Sequence, residues 1–258
     1  MKSVDYIHFT KDFKSKTGID LSLYKESQMK RRITSLFMKK GFEDFRRFYL
    51  ALCKDEQLLY ELLDRITINV SEFYRNKKRW DLLESDLLPE MLKRSKSLKI
   101  WSAACSTGEE PYTIAMILSK YMPLHSIKIL ATDLDENVIA RAKLGIYPER
   151  SLAELPEDMK RKYFEADGAG YKISKDIIRT VQFKKHNLLA EPFEDGFDLI
   201  VCRNVLIYFT EEAKNLLYHK FSKALKKDGI FFVGSTEQIF YSDQYNLESA
   251  GTFFYKKS

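Results

Sequence analysis

The sequence predicts a doubly wound, Rossmann-like α/β domain over residues 76–258, preceded by an all-helical domain over residues 1–75. Three observations predict it. From Lys99 onward, short apolar runs alternate with helical stretches, the pattern of a parallel sheet with helices on both faces. Before that, out to about residue 90, apolar residues recur at helical spacing without strand alternation. The small, acidic and amide residues that interrupt the pattern fall just after the strand-like runs, where open α/β sheets bind their ligands.

The helical part reads in order. "LSLYKESQMKRRITSLFMKKG" sets Met29, Ile33 and Leu36 on one stripe and stops at Gly41. "FEDFRRFYLALCKDEQLLYELLDRITINV" makes two more short helices. The strands of the second part are "LKIWSAA", "SIKILATD", "TVQFKKHNLL", "FDLIVCRN" and "DGIFFVGS", with "TFFYKKS" as an edge strand. The helices between them are "PYTIAMILSKYM", "DENVIARAKLG" and "TEEAKNLLYHKFSKALKKDG". "YFEADGAGYKIS" carries a turn between two strand-like runs, so a small β-subdomain is expected as an insertion near 160–182.

Composition narrows the classes. The chain has 258 residues, 45% hydrophobic and 14% aromatic, enough for a large core and unlike a disordered chain. Cys53, Cys105 and Cys202 lie far apart, and His8, His125, His186 and His219 are scattered, so neither a disulfide framework nor a metal site is expected. No apolar run approaches a membrane span, and the N-terminus lacks a signal-peptide core. A soluble cytoplasmic protein is expected.

The loop after the first strand, "SAACSTGEEPY", holds one glycine and two acids. A pyrophosphate wants several glycines and a helix N-terminus free of acids. Glu109 and Glu110 disfavour it and favour a cation. Asp133 closes the second strand, 25 residues past Gly108, where a carboxylate can accept a ribose diol. A nucleoside with positive charge in place of phosphates is S-adenosylmethionine: adenosine, a sulfonium and an ammonium. Complementing the helix dipole is the other role open to Glu109. Glu110 reads as a ligand group.

"ITINVSEFYRN" precedes the sheet domain. It reads either as a linker whose Ser71 caps the next helix, or as a segment closing over the ligand with Arg75 holding an anion. Cys202 sits inside an apolar run and reads as core. The Asn/Asp-Pro-Pro-aromatic and Pro-Cys motifs of base methylation are absent, as are His-Asp-Ser and Cys-His sets. Methylating a carboxylate requires no proton removal, so the sequence leans toward an anionic acceptor. Between Lys25 and Arg47, eight basic residues face three acids, and Lys25, Arg32 and Lys39 recur every seven residues on a face opposite the apolar stripe. An acidic partner is expected there, with nucleic acid as the rival.

"NVSEFYRN", "IWSAACSTGEEPYTIAM", "ATDLDENVIARAKLGIY", "HNLL", "FDLIVCRNVLIYF" and "GSTEQIF" follow in order, and together they resemble the CheR family of chemotaxis receptor methyltransferases, most closely those of Gram-positive bacilli. The resemblance implies transfer of a methyl group from S-adenosylmethionine to glutamate carboxylates of methyl-accepting chemotaxis receptors, leaving S-adenosylhomocysteine. It implies cofactor contacts at Asn69, Ser71, Arg75, Glu110, Asp133, Asn187, Leu188, Arg203 and Asn204. Arg75 and Tyr208 match residues of the methyl-transfer site. The basic helix, with Lys25, Arg31, Arg32 and Lys39, would meet the receptor's cytoplasmic coiled coil. A monomer that neither inserts into membranes nor binds nucleic acid is expected. The alternative is a non-catalytic module that keeps the cofactor fold and binds acidic helices or nucleic acid.

Overall fold

The computed structural model describes residues 3–67 and 71–258. Its contacts divide the chain at residue 68, with residues 187–192 and 205–217 joining the N-terminal unit, where the sequence had suggested a division at 75. Phe73 accounts for the difference: its ring packs edge-on against Tyr147 and Phe164 of the second unit, at 4.8 and 5.1 Å.

The first unit is built on α1 (Ser3–Thr17), α2 (Glu26–Lys39), α3 (Phe45–Lys54) and α4 (Glu56–Ile66). Its core is aromatic: Phe9, Phe13, Phe37, Phe45 and Phe48 are buried, and Phe37 stacks on Phe45 at 5.3 Å. Asp44 and Asp55 cap α3 and α4 by accepting the N–H groups of Arg47 and Leu58, so each helix starts where an orphan amide finds a carboxylate. α2 buries Met29, Ile33, Leu36 and Phe37 and stops at Gly41, whose φ of +77° suits glycine.

The second unit begins with α5 (Lys77–Leu82) and α6 (Leu88–Arg94), joined through a π-turn. Then come β1 (Ile100–Ala103), α7 (Glu109–Leu118), β2 (Ile129–Asp133), α8 (Glu136–Leu144), β3 (Ile146–Pro148), α9 (Glu157–Tyr163), β4 (Phe164–Asp167), β5 (Gly170–Ile173), α10 (Lys175–Ile178), β6 (Val181–Lys185) and β7 (Phe197–Cys202). α11 (Glu211–Ala224), β8 (Leu225–Val233), β9 (Leu247–Gly251) and β10 (Phe254–Lys257) complete the chain, α11 starting among first-unit residues.

Among the described residues one sheet has seven strands in the order β6-β2-β1-β7-β8-β10-β9. The first five are parallel; β10 and β9 are antiparallel additions. Strand order reverses between β1 and β7, which makes their carboxyl ends the expected ligand crevice. All four residues of β1 are buried, and Trp101 packs among Phe193, Phe197 and Phe221, as a central strand covered on both faces requires.

Two expectations change. "TFFYKKS" is not the edge strand: β10 lies between β8 and β9, and β9, "LESAG", forms the edge. β9 has too few apolar residues to signal a strand, because an edge strand need not bury both faces. The inserted subdomain is a three-stranded antiparallel sheet, β3-β5-β4, which starts at Ile146 rather than near 160. β3 is three residues with a proline and carries no readable alternation.

Candidate active site

The turn between β1 and α7 is a tight backbone cradle. Ala104, Ser106 and Gly108 all have positive φ, at 62°, 48° and 93°. A Cβ at Gly108 would lie 2.9 Å from the Ala142 Cβ and 3.0 Å from the Tyr112 ring, so only glycine fits there. The hydroxyl of Tyr147, on β3, donates to the Thr107 carbonyl at 2.7 Å and holds the turn from the other side.

Asp133 ends β2 and is 7% exposed. Its Oδ2 accepts the Ser106 N–H at 2.8 Å and its Oδ1 accepts the Asp135 N–H at 3.1 Å. With the Leu134 amide as a further donor, the carboxylate still has acceptor capacity for a ligand. Burial raises its pKa, and the backbone amides pull against that shift.

Glu110, in the first turn of α7, is pushed up to about 7, chiefly by desolvation, with Arg203, the Ser102 hydroxyl and Arg75 opposing and Glu237 adding to the rise. Ser102 donates to its Oε1 at 2.8 Å, and Arg203 Nη1 stands 4.0 Å from its Oε2. Arg203 follows β7 directly. Its guanidinium lies against the rings of Trp80 and Phe232, 5.1 and 4.7 Å from their centroids, and Nη2 donates to the Arg75 carbonyl at 2.8 Å. Ser102, Glu110, Arg203 and Arg75 therefore form one cluster at the ends of β1 and β7. Two buried polar atoms beside these turns, Ser106 Oγ and Arg203 Nε, have no hydrogen-bond partner.

Ser71 does not cap the following helix: Asn76 holds that position, and the Ser71 hydroxyl bonds Glu109 instead. Glu109, 3% exposed, also accepts from Thr107 Oγ1 at 2.6 Å, and burial raises its pKa. With Ser71, Thr107, Arg141 and Tyr147 it lines a cavity of about 390 Å³. Glu109 is thus more than a dipole partner, a role the sequence left open. Asn69 lies outside the described residues.

The remaining expected residues belong to the first unit. Asn187 accepts the Leu189 N–H on Oδ1 at 3.0 Å, an Asx turn, and Leu188 is buried. Tyr208 lies in a short 3₁₀ turn, with the Arg32 guanidinium 4.9 Å from its ring. Its carbonyl accepts the Lys25 N–H at 2.9 Å. Arg32 also donates to the Ile66 carbonyl at 3.3 Å, and it is half-buried. Lys25, Arg32 and Lys39 therefore flank the apolar stripe of α2 rather than oppose it, because a seven-residue step returns the helix nearly to the same angle beside Met29. The opposite, exposed face carries Ser27, Arg31, Ser35 and Met38, which with Lys30 and Thr34 line a shallow open groove of about 610 Å³.

Two family patterns match: "CheR methyltransferase, all-alpha domain" over residues 5–67 and "CheR methyltransferase, SAM binding domain" over residues 69–254. The chain belongs to the CheR methyltransferase family. It is 46% identical to the chemotaxis protein methyltransferase of Listeria monocytogenes, over 98% of this chain and 97% of that one. Identity to the chemotaxis protein methyltransferase of Borreliella burgdorferi is 39%, over 93% and 89% of the two chains. This CheR-family chain is therefore an S-adenosylmethionine-dependent methyltransferase acting in chemotaxis.

Its residues fit that cofactor. Asp133 offers acceptor capacity to a diol, Glu110 a carboxylate to an ammonium, and the side-chain-poor turn lets a nucleoside approach. Ser106 Oγ and Arg203 Nε, both buried beside these turns, are polar atoms without a hydrogen-bond partner in the protein. Among the described residues no cluster of His, Cys, Asp and Glu suits a metal, and no helix is long and apolar enough to cross a membrane.

Proposed function

We propose that this enzyme methylates glutamate side chains on the cytoplasmic coiled-coil region of chemotaxis receptors, in the cytoplasm and as a monomer. The observation that carries the reading is the near-full-length likeness to chemotaxis protein methyltransferases, which includes the helical unit as well as the cofactor domain. The basic exposed face of α2, with Lys30 and Arg31 on its groove and Lys39 beside it, supports an acidic helical partner.

S-adenosylmethionine supplies a methyl group on positively charged sulfur. Asp133 accepts hydrogen bonds from the ribose diol, and Glu110 faces the ammonium. Arg203 fixes the Arg75 backbone and keeps Glu110 in place. Arg75 orients a carboxylate, either the cofactor's or the substrate's, by its fork of N–H donors. Ser71 and Asn204 complete the contacts on this unit. For Asn69, Asn187, Leu188 and Tyr208 the assignment rests on the family pattern alone. The accepting glutamate is ionised at neutral pH, so the chain aligns two groups and excludes water instead of moving a proton.

The test uses S-adenosylmethionine labelled in its methyl group with receptor cytoplasmic fragments. Methyl esters release labelled methanol in mild base. Base-stable label would mean nitrogen methylation and end the proposal.

A further inference from the structure

Glu237 was not among the residues that the sequence singled out, yet it is 4% exposed and its carboxylate is committed to backbone at the site. Its Oε2 accepts the Asn204 N–H at 2.7 Å and the Gly234 N–H at 2.8 Å. Asn204 stands two residues past the end of β7 with φ 61°, a conformation that needs support in a non-glycine residue. Gly234 stands directly after β8. A Cβ there would lie 2.4 Å from the Glu237 Oε2 and 2.7 Å from the Asn204 nitrogen. Glycine at 234 is what lets one carboxylate reach both amides. The same turn makes a second tie: Ser235 Oγ donates to Asn76 Oδ1 at 3.0 Å, and Arg203 donates to that oxygen at 3.3 Å. The ends of β7 and β8 and the Arg75–Asn76 segment are thereby linked through side chains.

We propose that Glu237 is a positioning residue for cofactor binding: it holds the Asn204 backbone in its left-handed conformation and so presents Asn204 to the cofactor. The inference rests on the reading of Asn204 as a cofactor contact. Glu237 reaches both amides through one oxygen, and its charge also raises the Glu110 pKa, so the comparison is made at pH 8, where Glu110 is mostly ionised and the reach of the side chain is what is tested.

Two substitutions separate reach from charge. Glu237→Gln keeps an acceptor oxygen at the same length; Glu237→Asp keeps the charge but is one methylene shorter. Binding of S-adenosylhomocysteine is measured by calorimetry, with thermal unfolding and hydrogen exchange at the Asn204 and Gly234 amides as further readouts. Glu237→Gln should bind within about threefold of the parent, and Glu237→Asp should bind about tenfold or more weakly, the scale for hydrogen bonds that the shorter side chain no longer reaches. Exchange at the two amides should quicken in Glu237→Asp while the fold stays cooperative. The proposal is overturned if Glu237→Asp binds as the parent does, or if Glu237→Gln loses as much as Glu237→Asp. Asp133→Ala is measured in parallel. If it weakens binding while Glu237→Asp does not, only the role of Glu237 falls; if neither changes binding, the cofactor-site reading falls with it.

Discussion

Glu110→Gln tests the site most directly, because the structure gives its carboxyl a pKa of about 7 with desolvation as the leading cause. A cationic ligand meets the ionised form. With a midpoint near 7, about nine-tenths of the carboxyl is ionised at pH 8 and about one-tenth at pH 6. Binding of S-adenosylhomocysteine should therefore weaken about tenfold from pH 8 to pH 6, close to 1.4 kcal/mol. Near pH 7 binding should release about half a proton, readable by calorimetry in buffers of different ionisation enthalpy. Replacing the carboxylate with an amide removes a charge-assisted bond, so at pH 8 the variant should lose roughly 1.5–3 kcal/mol of affinity. It should also lose the pH dependence. The raised pKa further means that the folded chain holds a proton which the unfolded chain releases above its ordinary 4.5. Stability of the ligand-free protein should consequently fall as pH rises from about 4.5 to 7, by on the order of 3 kcal/mol from this group. A flat affinity profile in the parent between pH 5.5 and 8.5, or an unaltered profile in the variant, would falsify the assignment.

Asp133→Ala should weaken S-adenosylhomocysteine binding by roughly 1.5–3 kcal/mol, since it deletes the diol acceptor and frees the Ser106 and Asp135 amides; unchanged calorimetric affinity removes Asp133 from the site. Gly108→Ala should cost about 1–3 kcal/mol in denaturant unfolding, because it combines a φ of 93° with a Cβ 2.9 Å from Ala142; a neutral result would mean the turn relaxes freely. Reversing Arg31 and Lys39 to Glu should impair receptor methylation and spare calorimetric cofactor binding, and methylation at the parent rate would reduce the basic face to an ordinary solvated surface. Arg32 is left out of that reversal: its bond to the Ile66 carbonyl and its contact with Tyr208 make any substitution a structural one as well.

Much of the fold was legible because its signals are local. β1, β2, β7 and β8 hold buried apolar runs of strand length, and Gly41 marks a helix end in the sequence itself. β3 and β9 were not legible, since short edge strands get their order from partners far along the chain. For the site, acids at strand ends pointed to Glu110 and Asp133, but not to which neighbours would shift them. Heptad spacing put Arg32 on a charged face, while its bond to a carbonyl 34 residues away decided otherwise. Glu237 was least visible: one acid in a turn says nothing until Gly234 and Asn204 are seen against it.

The tyrosine of β3 has a thermodynamic consequence. Tyr147 belongs to the inserted three-stranded sheet, yet its hydroxyl holds the carbonyl of Thr107 in the turn ahead of Glu110. Any molecule that grips the small sheet and displaces Tyr147 draws on the same free energy that shapes the turn. By linkage, the factor by which such a molecule alters cofactor affinity equals the factor by which the cofactor alters the grip on that molecule. A molecule that displaced Tyr147 would disturb the turn that leads into Glu110, so binding at the inserted sheet and at that turn would be felt at each other.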